Sequence, residues 1–264
     1  MRAEQRLNPS AKEIEDLKAS SEELQQQLAL RTAELEAAQK ELEDFTYSVS
    51  HDLRAPLRAI NGFARITLED FGPHLPEEGR HHLERVQNAA IRMGELIEGL
   101  LTLSQVGQRP VKRQAVDTAA LAQGLLEDLK AAQNDRQIEL RIGKLPTCQA
   151  DPAMLKQVWA ALLANALKFS RDRTPAIIEA GWLRQDGDGV YFVRDNGAGF
   201  DMQYSNKLFG VFQRLHRAEE FPGIGMGLAI AQRIIHRHGG RIWADGKVDG
   251  GATFYFTIDG KHTL

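Results

Sequence analysis

Residues 14–57 read IEDLKASSEELQQQLALRTAELEAAQKELEDFTYSVSHDLRAPL, with no glycine anywhere and no proline before Pro56. A stretch so rich in Glu, Gln, Leu, Ala and Lys favours one long helix. Alternate steps of three and four residues from Ile14 meet Leu17, Ser21, Leu24, Leu28, Arg31, Leu35, Ala38, Leu42, Phe45 and Val49. Most of these are large and apolar, and only Ser21 and Arg31 fit poorly. A 3.5-residue repeat held this long predicts a left-handed coiled coil, hence at least two helices side by side. A single helix bridging solvent is the alternative the pattern leaves open.

Downstream, the seam passes through Leu53 and meets Pro56, which removes a helical hydrogen bond and predicts a kink. The helix should continue through Ile60, Phe63, Ile66 and Leu68 to a break at Phe71-Gly72-Pro73. A second amphipathic helix is expected from about Pro76 to Val106, with Leu83, Val86, Ala90, Met93, Ile97, Leu100 and Leu101 on one stripe. Two long helices and a short turn make an antiparallel hairpin, and two copies would form a four-helix bundle. Periodicity stops at Gly107–Gln114, which reads as a hinge.

Beyond the hinge the pattern is mixed. A helix is expected at about 118–133, then strand-like runs at Ile138–Ile142 and Thr147–Ala150. Asp151-Pro152 starts a helix that should reach about Phe169, an N-cap followed by proline in the first turn. Strands are predicted at Ala176–Arg184 and Val190–Arg194 around the turn Gln185–Gly189. Residues 195–226 are glycine-rich and aperiodic; a helix at about 226–238 and strands at Arg241–Ala244 and Ala252–Ile258 follow.

The 264 residues suffice for two domains, and 42% hydrophobic content is ample for a core. A formal charge of -3 gives no basic footprint for nucleic acid or for a polybasic membrane patch. One cysteine, Cys148, excludes an internal disulfide framework and fits a reducing compartment. No run approaches the roughly 18 apolar residues of a membrane span, so the expected location is the cytoplasm.

The chemistry begins at Ser50-His51-Asp52-Leu53-Arg54-Ala55-Pro56-Leu57. His51 falls two positions past the seam residue Val49, so its imidazole should face outward. A ring nitrogen is nucleophilic only in neutral imidazole, and Asp52 can take or hold the proton of the other nitrogen. This octapeptide resembles the phosphoacceptor box of sensor histidine kinases.

Four later blocks resemble, in order, the ATP-binding domain shared by histidine kinases, gyrase-type topoisomerases, Hsp90 and MutL. The first is LLANALKF, residues 162–169, where Asn165 supplies an amide oxygen suited to Mg²⁺. Lys168 lies on the same helical face and can meet phosphate, while Phe169 could flank adenine. In the second, Asp195-Asn196-Gly197-Ala198-Gly199-Phe200, the resemblance implies that Asp195 accepts the adenine amino hydrogen bond. Gly197 and Gly199 let the backbone approach the nucleotide. The third, LFGVFQRLH at 208–216, looks like part of a lid carrying Phe212, with Arg214 and His216 in reach of phosphates. In the fourth, Gly223, Gly225, Gly227 and Leu228 enter a helix whose first N–H groups suit phosphate. No G-x-x-x-x-G-K-[ST] run competes with this reading.

The resemblance covers about residues 45–258 and looks closest to kinases linked to phytochrome or PAS sensors. It implies an α+β chain with coiled-coil residues 1–44, a phosphotransfer hairpin 45–106, a hinge 107–114 and an α/β sandwich ATP-binding domain 115–264. It implies a homodimer through hairpin and coiled coil, using ATP and Mg²⁺ to phosphorylate His51 and passing the phosphoryl to a response-regulator receiver. No sensor domain is legible in this chain. Two positions depart from the pattern. Ala55 stands where Thr or Asn often positions water for dephosphorylating the partner. Ala161 stands four residues before Asn165, where Asn is common and gyrase-like relatives carry a catalytic Glu. That alanine opposes an ATP hydrolase and motivates one alternative, a nucleotide-binding scaffold with weak or absent kinase activity.

Overall fold

The computed structural model describes residues 11–131, 133, 136–217 and 220–258. The chain divides into two compact units, residues 1–49 and 50–264. The first consists, among the described residues, of the opening of helix α1 (Ala11–Phe71). Its seam residues Leu24, Leu28, Leu35, Leu42 and Phe45 are 63–71% exposed, so nothing described in one copy of the chain covers them. Residues 1–10 and the side chains of Ile14 and Leu17 lie outside the described part.

In the second unit α1 runs on through Pro56 to Phe71 and turns back through a single 3-10 turn, Gly72–His74, into α2 (Glu77–Gln108). Leu57 of α1 and Ala90, Ile97 and Leu101 of α2 form a small buried cluster between the two helices. Arg54 Nε donates to Glu98 Oε1 at 3.0 Å and fixes their antiparallel register. Helix α2 ends two residues later than the expected Val106. A glycine inside a helix costs only about 1 kcal/mol, so Gly107 does not stop it. Pro110 does, by forcing Arg109 into extended backbone (ψ 128°).

The expected hinge is tied at several points. Gln114–Val116 forms strand β1 and pairs antiparallel with β3 (Cys148–Ala150). The Lys112 N–H donates to Asp151 Oδ2 at 3.2 Å, and Arg113 Nη2 donates to the His238 carbonyl at 2.8 Å.

The remaining elements are α3 (Thr118–Ala131), β2 (Ile138–Ile142), α4 (Pro152–Phe169), β4 (Ala176–Gln185), β5 (Asp188–Asp195), α5 (Gly227–Arg237), β6 (Ile242–Lys247) and β7 (Gly251–Thr257). They match the sequence expectations to within a few residues. A 3-10 turn at Met202–Lys207 interrupts the stretch expected to be aperiodic. The five-stranded sheet has the order β2-β4-β5-β7-β6, parallel at β2·β4 and antiparallel elsewhere. The tight β4–β5 hairpin turns at Asp186-Gly187, both with positive φ (52° and 89°), the requirement of a type I′ turn.

Alternate residues Ile178 and Ala180, Tyr191 and Val193, and Phe254 and Phe256 face the helices and close one core around Trp159 of α4. Asp151 caps α4 by accepting from the N–H groups of Ala153 and Met154. Fully buried His238 ties the end of α5 to that cap. Its Nε2 accepts from the Asp151 N–H at 3.0 Å, so Nδ1 carries the proton and donates to Ile234 O at 2.8 Å. These packed elements set the positions of α4, β5, β7 and the start of α5 around one cavity.

Candidate nucleotide and phosphoacceptor sites

A cavity of about 220 Å³ opens between α4, the inner ends of β5 and β7, and the segment leading into α5. Eleven of the residues singled out from the sequence line it: Asn165, Lys168, Phe169, Asp195, Gly199, Arg214, His216, Gly223, Gly225, Gly227 and Leu228. They come from four separate stretches, and the sheet register brings them together.

Asp195 is buried, 5% exposed, and accepts from the Gly197 N–H at 2.8 Å. Burial pushes its carboxyl up to about 6; hydrogen bonds from the N–H groups of Gly197 and Ala252 pull the other way without overcoming it. A nearly dry carboxylate edge is a strong acceptor for an amino group entering the cavity.

Cations line the cavity as well. Lys168 Nζ stands 4.3 Å over the Phe169 ring and within about van der Waals reach of Gly223, where a Cβ would lie 3.5 Å away. Burial lowers its pKa, and neighbouring Arg214 lowers it further, so an incoming anion would be welcomed twice over. Helix α5 begins beside it with no side-chain cap on its first N–H groups among the described residues, the arrangement that suits an anion. The Asn165 side chain lines the cavity with no protein hydrogen-bond partner among the described residues.

Three rings meet in its wall: Phe169, His216 and Phe221, with centroids 4.9–5.2 Å apart. His216 Nε2 lies 2.9 Å from the Gly199 carbonyl. A carbonyl only accepts, so Nε2 carries a proton. His216 thus stands beside the ring cluster and the Gly199 backbone. Arg214 Nη2 donates to the Phe221 carbonyl at 2.5 Å.

Two singled-out residues do not reach the cavity wall. Gly197 is buried behind it, where a Cβ would stand 2.4 Å from the Phe169 carbonyl, so packing alone demands glycine. Phe212 is 42% exposed with φ 60°. Other lining residues escaped the sequence reading, among them Phe200, Phe221, Ile224, Met226, Ala252 and Phe254. Ile224 and Met226 alternate with the glycines and could have been picked out with them. Ala252 and Phe254 become visible only once β7 is paired with β5, which sets Ala252 opposite Asp195.

His51 projects from α1 into solvent, with 67% of its side chain exposed, and its Nδ1 lies 3.3 Å from Asp52 Oδ1. A proton on Nδ1 facing that carboxylate leaves the Nε2 lone pair directed outward. Ala55, one turn on, is also exposed and offers only a methyl group. Ala161 sits on the α4 face of Asn165, its Cβ 3.6 Å from where a Cβ on Gly227 would stand. No helix of the described residues is long and apolar enough to cross a membrane.

The chain thus joins an exposed histidine on a helical hairpin to an α/β sandwich whose cavity is lined by a buried carboxylate and by cations. Residues 41–109 match the family model described as the His Kinase A (phospho-acceptor) domain. Residues 150–262 match that of the histidine kinase-, DNA gyrase B- and HSP90-like ATPase. The chain belongs to the sensor histidine kinases. Phytochrome-like protein Cph1 of Synechocystis sp. is 34% identical over 88% of the chain and 31% of its own length. Methanogenesis regulatory histidine kinase FilI of Methanothrix harundinacea is 34% identical over 92% of the chain and 27% of its own. The chain thus spans less than a third of the length of these relatives. The fold is like that of full-length ShkA in complex with AMPPNP (TM-score 0.60, 24% identity, 81% of this chain and 45% of that one). It is also like that of Acinetobacter baumannii histidine kinase AdeS (TM-score 0.55, 20% identity, 80% of this chain and 98% of that one).

Proposed function

We propose that the chain is the catalytic part of a dimeric sensor histidine kinase that moves the γ-phosphoryl of ATP onto His51 and then to an aspartate of a response-regulator receiver. The observation that carries this reading is the pairing of two sites in one chain: an outward His51 Nε2 beside Asp52, and a cavity whose buried Asp195 suits a nucleobase and whose Lys168 and Arg214 suit a polyphosphate. Adenine lies at Asp195, whose carboxylate accepts from its amino group. Lys168, Arg214 and the N–H groups of Gly225 and Gly227 meet the phosphates.

Among the described residues no group of three or more His, Cys, Asp or Glu side chains could hold a metal ion. That fits Mg²⁺, which prefers to keep water and substrate phosphate as ligands and to take few from protein. Asn165 would hold it through its amide oxygen, and the ion would neutralise charge on the β- and γ-phosphates. The His51 Nε2 lone pair forms the new N–P bond as the bridging P–O bond to ADP breaks. Asp52 holds the Nδ1 proton and balances the positive charge that develops on the ring. Lys168 and the glycine N–H groups stabilise charge on the leaving ADP oxygen.

The exposed seam of α1 supports dimerisation through coiled coil and hairpin. The domains proposed are 1–44, 45–106, a linker at 107–114 and 115–264, and a chain consuming ATP works in the cytoplasm. Incubation with γ-labelled ATP and Mg²⁺ tests the proposal. Label that is acid-labile, base-stable and absent from His51→Gln is expected. Phosphate release without labelled protein would make the chain an ATPase, and nucleotide binding without label would make it a scaffold.

A further inference from the structure

The loop that follows β5 decides where the Asp195 carboxylate stands. The Gly197 N–H donates to Asp195 Oδ1 at 2.8 Å, so a turn of that amide would carry the carboxylate with it. Regular pairing ends at this point: β5 stops at Asp195, and residues 196–199 form no strand. Gly197 is a natural pivot, since glycine has the widest backbone freedom. Packing forbids a stiffer residue there, because a Cβ would stand 2.4 Å from the Phe169 carbonyl. Recognition that depends on one carboxylate therefore needs that freedom removed by neighbouring groups.

Several ties do so. The Asn196 amide prolongs the pairing with β4, accepting from the Ile177 N–H at 2.9 Å and donating to the Pro175 carbonyl at 3.1 Å. The Ala198 N–H donates to the Phe169 carbonyl at 3.0 Å, and the Ala198 carbonyl accepts from the Asp249 N–H at 2.7 Å. The remaining tie comes from Arg173, in the connection between α4 and β4. Its Nη2 donates to the Gly197 carbonyl at 3.2 Å and to the Asp249 carbonyl at 3.0 Å, which uses both hydrogens of that nitrogen. Arg173 thus grips the Gly197–Ala198 peptide at its oxygen while Phe169 grips it at its N–H. It also fastens the loop to the turn between β6 and β7. Neither Arg173 nor Asp249 lines the cavity. Burial and the N–H groups of Gly197 and Ala252 are what shift the Asp195 carboxyl, so the guanidinium acts on the loop's geometry rather than on titration.

We infer that Arg173 is a positioning residue for base recognition: by holding the Gly197 peptide it aims the Asp195 carboxylate at the adenine amino group, and so sets how sharply the cavity selects that base. A hydrogen bond weakens steeply as its angle falls toward about 120°, so a modest rotation of the carboxylate blunts the choice. A ligand with no amino group at that position has nothing to lose. This role rests on the kinase reading and deepens it, because it assigns selectivity at the same site to a side chain outside the cavity.

Calorimetric titration of the full chain with ADP and Mg²⁺, and with purine riboside 5′-diphosphate and Mg²⁺, tests it; in the second ligand hydrogen replaces the adenine amino group. The wild-type chain should prefer ADP roughly 10- to 150-fold, the worth of a hydrogen bond to a charged group. In Arg173→Gln and Arg173→Met that preference should shrink roughly 5- to 20-fold, with ADP weakened and the second ligand bound within about 2-fold of wild type. The Arg173 side chain is 37% exposed, so neither change opens the core. Cooperative melting of each variant shows that it is folded, and one folded variant suffices. A tie that only braced the fold would weaken both ligands alike. Equal loss for the two ligands, an unchanged preference in a folded variant, or loss of cooperative melting in both variants overturns the inference and leaves the kinase reading intact. A wild-type chain that binds neither ligand, or both equally well, overturns the placement of adenine at Asp195 and the inference with it.

Discussion

Replacing Asp195 by asparagine should make the protein more stable and a worse nucleotide binder. The carboxyl is 5% exposed, and burial raises its pKa from 3.8 to about 6. Between those values the folded chain holds a proton that the unfolded chain has released, so stability falls as pH rises through that window. The span from 3.8 to about 6 is about 2.2 pH units; at about 1.36 kcal/mol each, the folded state carries a penalty of about 3 kcal/mol above pH 6. The Asp195→Asn side chain would keep the oxygen that accepts from the Gly197 N–H and lose the charge. Burying its amide takes back part of the gain, which leaves about 1–2 kcal/mol at pH 7.5. For a folded unit of this size that is a rise in Tm of roughly 3–6 °C. At pH 5 the penalty in the wild-type chain is only partly developed, and the advantage should shrink by about 1.4 kcal/mol. Urea unfolding of both chains at pH 5 and pH 7.5 measures all of this. AMPPNP affinity should fall about 10- to 150-fold, the worth of a hydrogen bond to a charged group. A variant that is less stable at pH 7.5, or whose advantage does not change with pH, would refute the idea that the site stores its binding power as desolvation strain.

Other substitutions probe other parts of the molecule. Gly199→Ala places a Cβ 1.9 Å from the Lys247 carbonyl at φ 61°, and the strain should cost about 3 kcal/mol or more, seen as a lower urea midpoint. Asp151→Ala strips the cap from α4 and the partner from the Lys112 N–H; a loss of about 1–2 kcal/mol is expected, with faster proteolysis at residues 109–113. Trp159→Phe removes a buried Nε1 that has no hydrogen-bond partner among the described residues and should cost well under the roughly 3–5 kcal/mol of Trp159→Ala. Ala55→Thr should speed loss of phosphate from a phosphorylated receiver while leaving His51 labelling intact; an unchanged rate would show that Ala55 does not limit that reaction.

What the sequence revealed and what it concealed separate along a physical line. Local signals carried the elements: a glycine-free heptad run for α1, Asp151-Pro152 for the start of α4, Asp186-Gly187 for the β4–β5 turn. Eleven wall residues were legible because each has a chemistry that its own neighbours announce, as a carboxylate before glycines or an amide and an ammonium on one helical face. The rest depended on distant partners. Ala252 and Phe254 join the site only through the register of β7 on β5, and Phe221 through a return of the chain across Phe169. The segment 107–114 shows the limit most plainly. Its glycine, proline and polar residues read as a hinge, and composition gave no sign of the hydrogen bonds from Asp151, Arg237 and His238, 39 to 128 positions away in sequence. Composition reports how easily a backbone bends, and it is silent about what grips it. The same holds at Gly99, an ordinary-looking glycine within α2 whose missing side chain is the space into which Met226 fits.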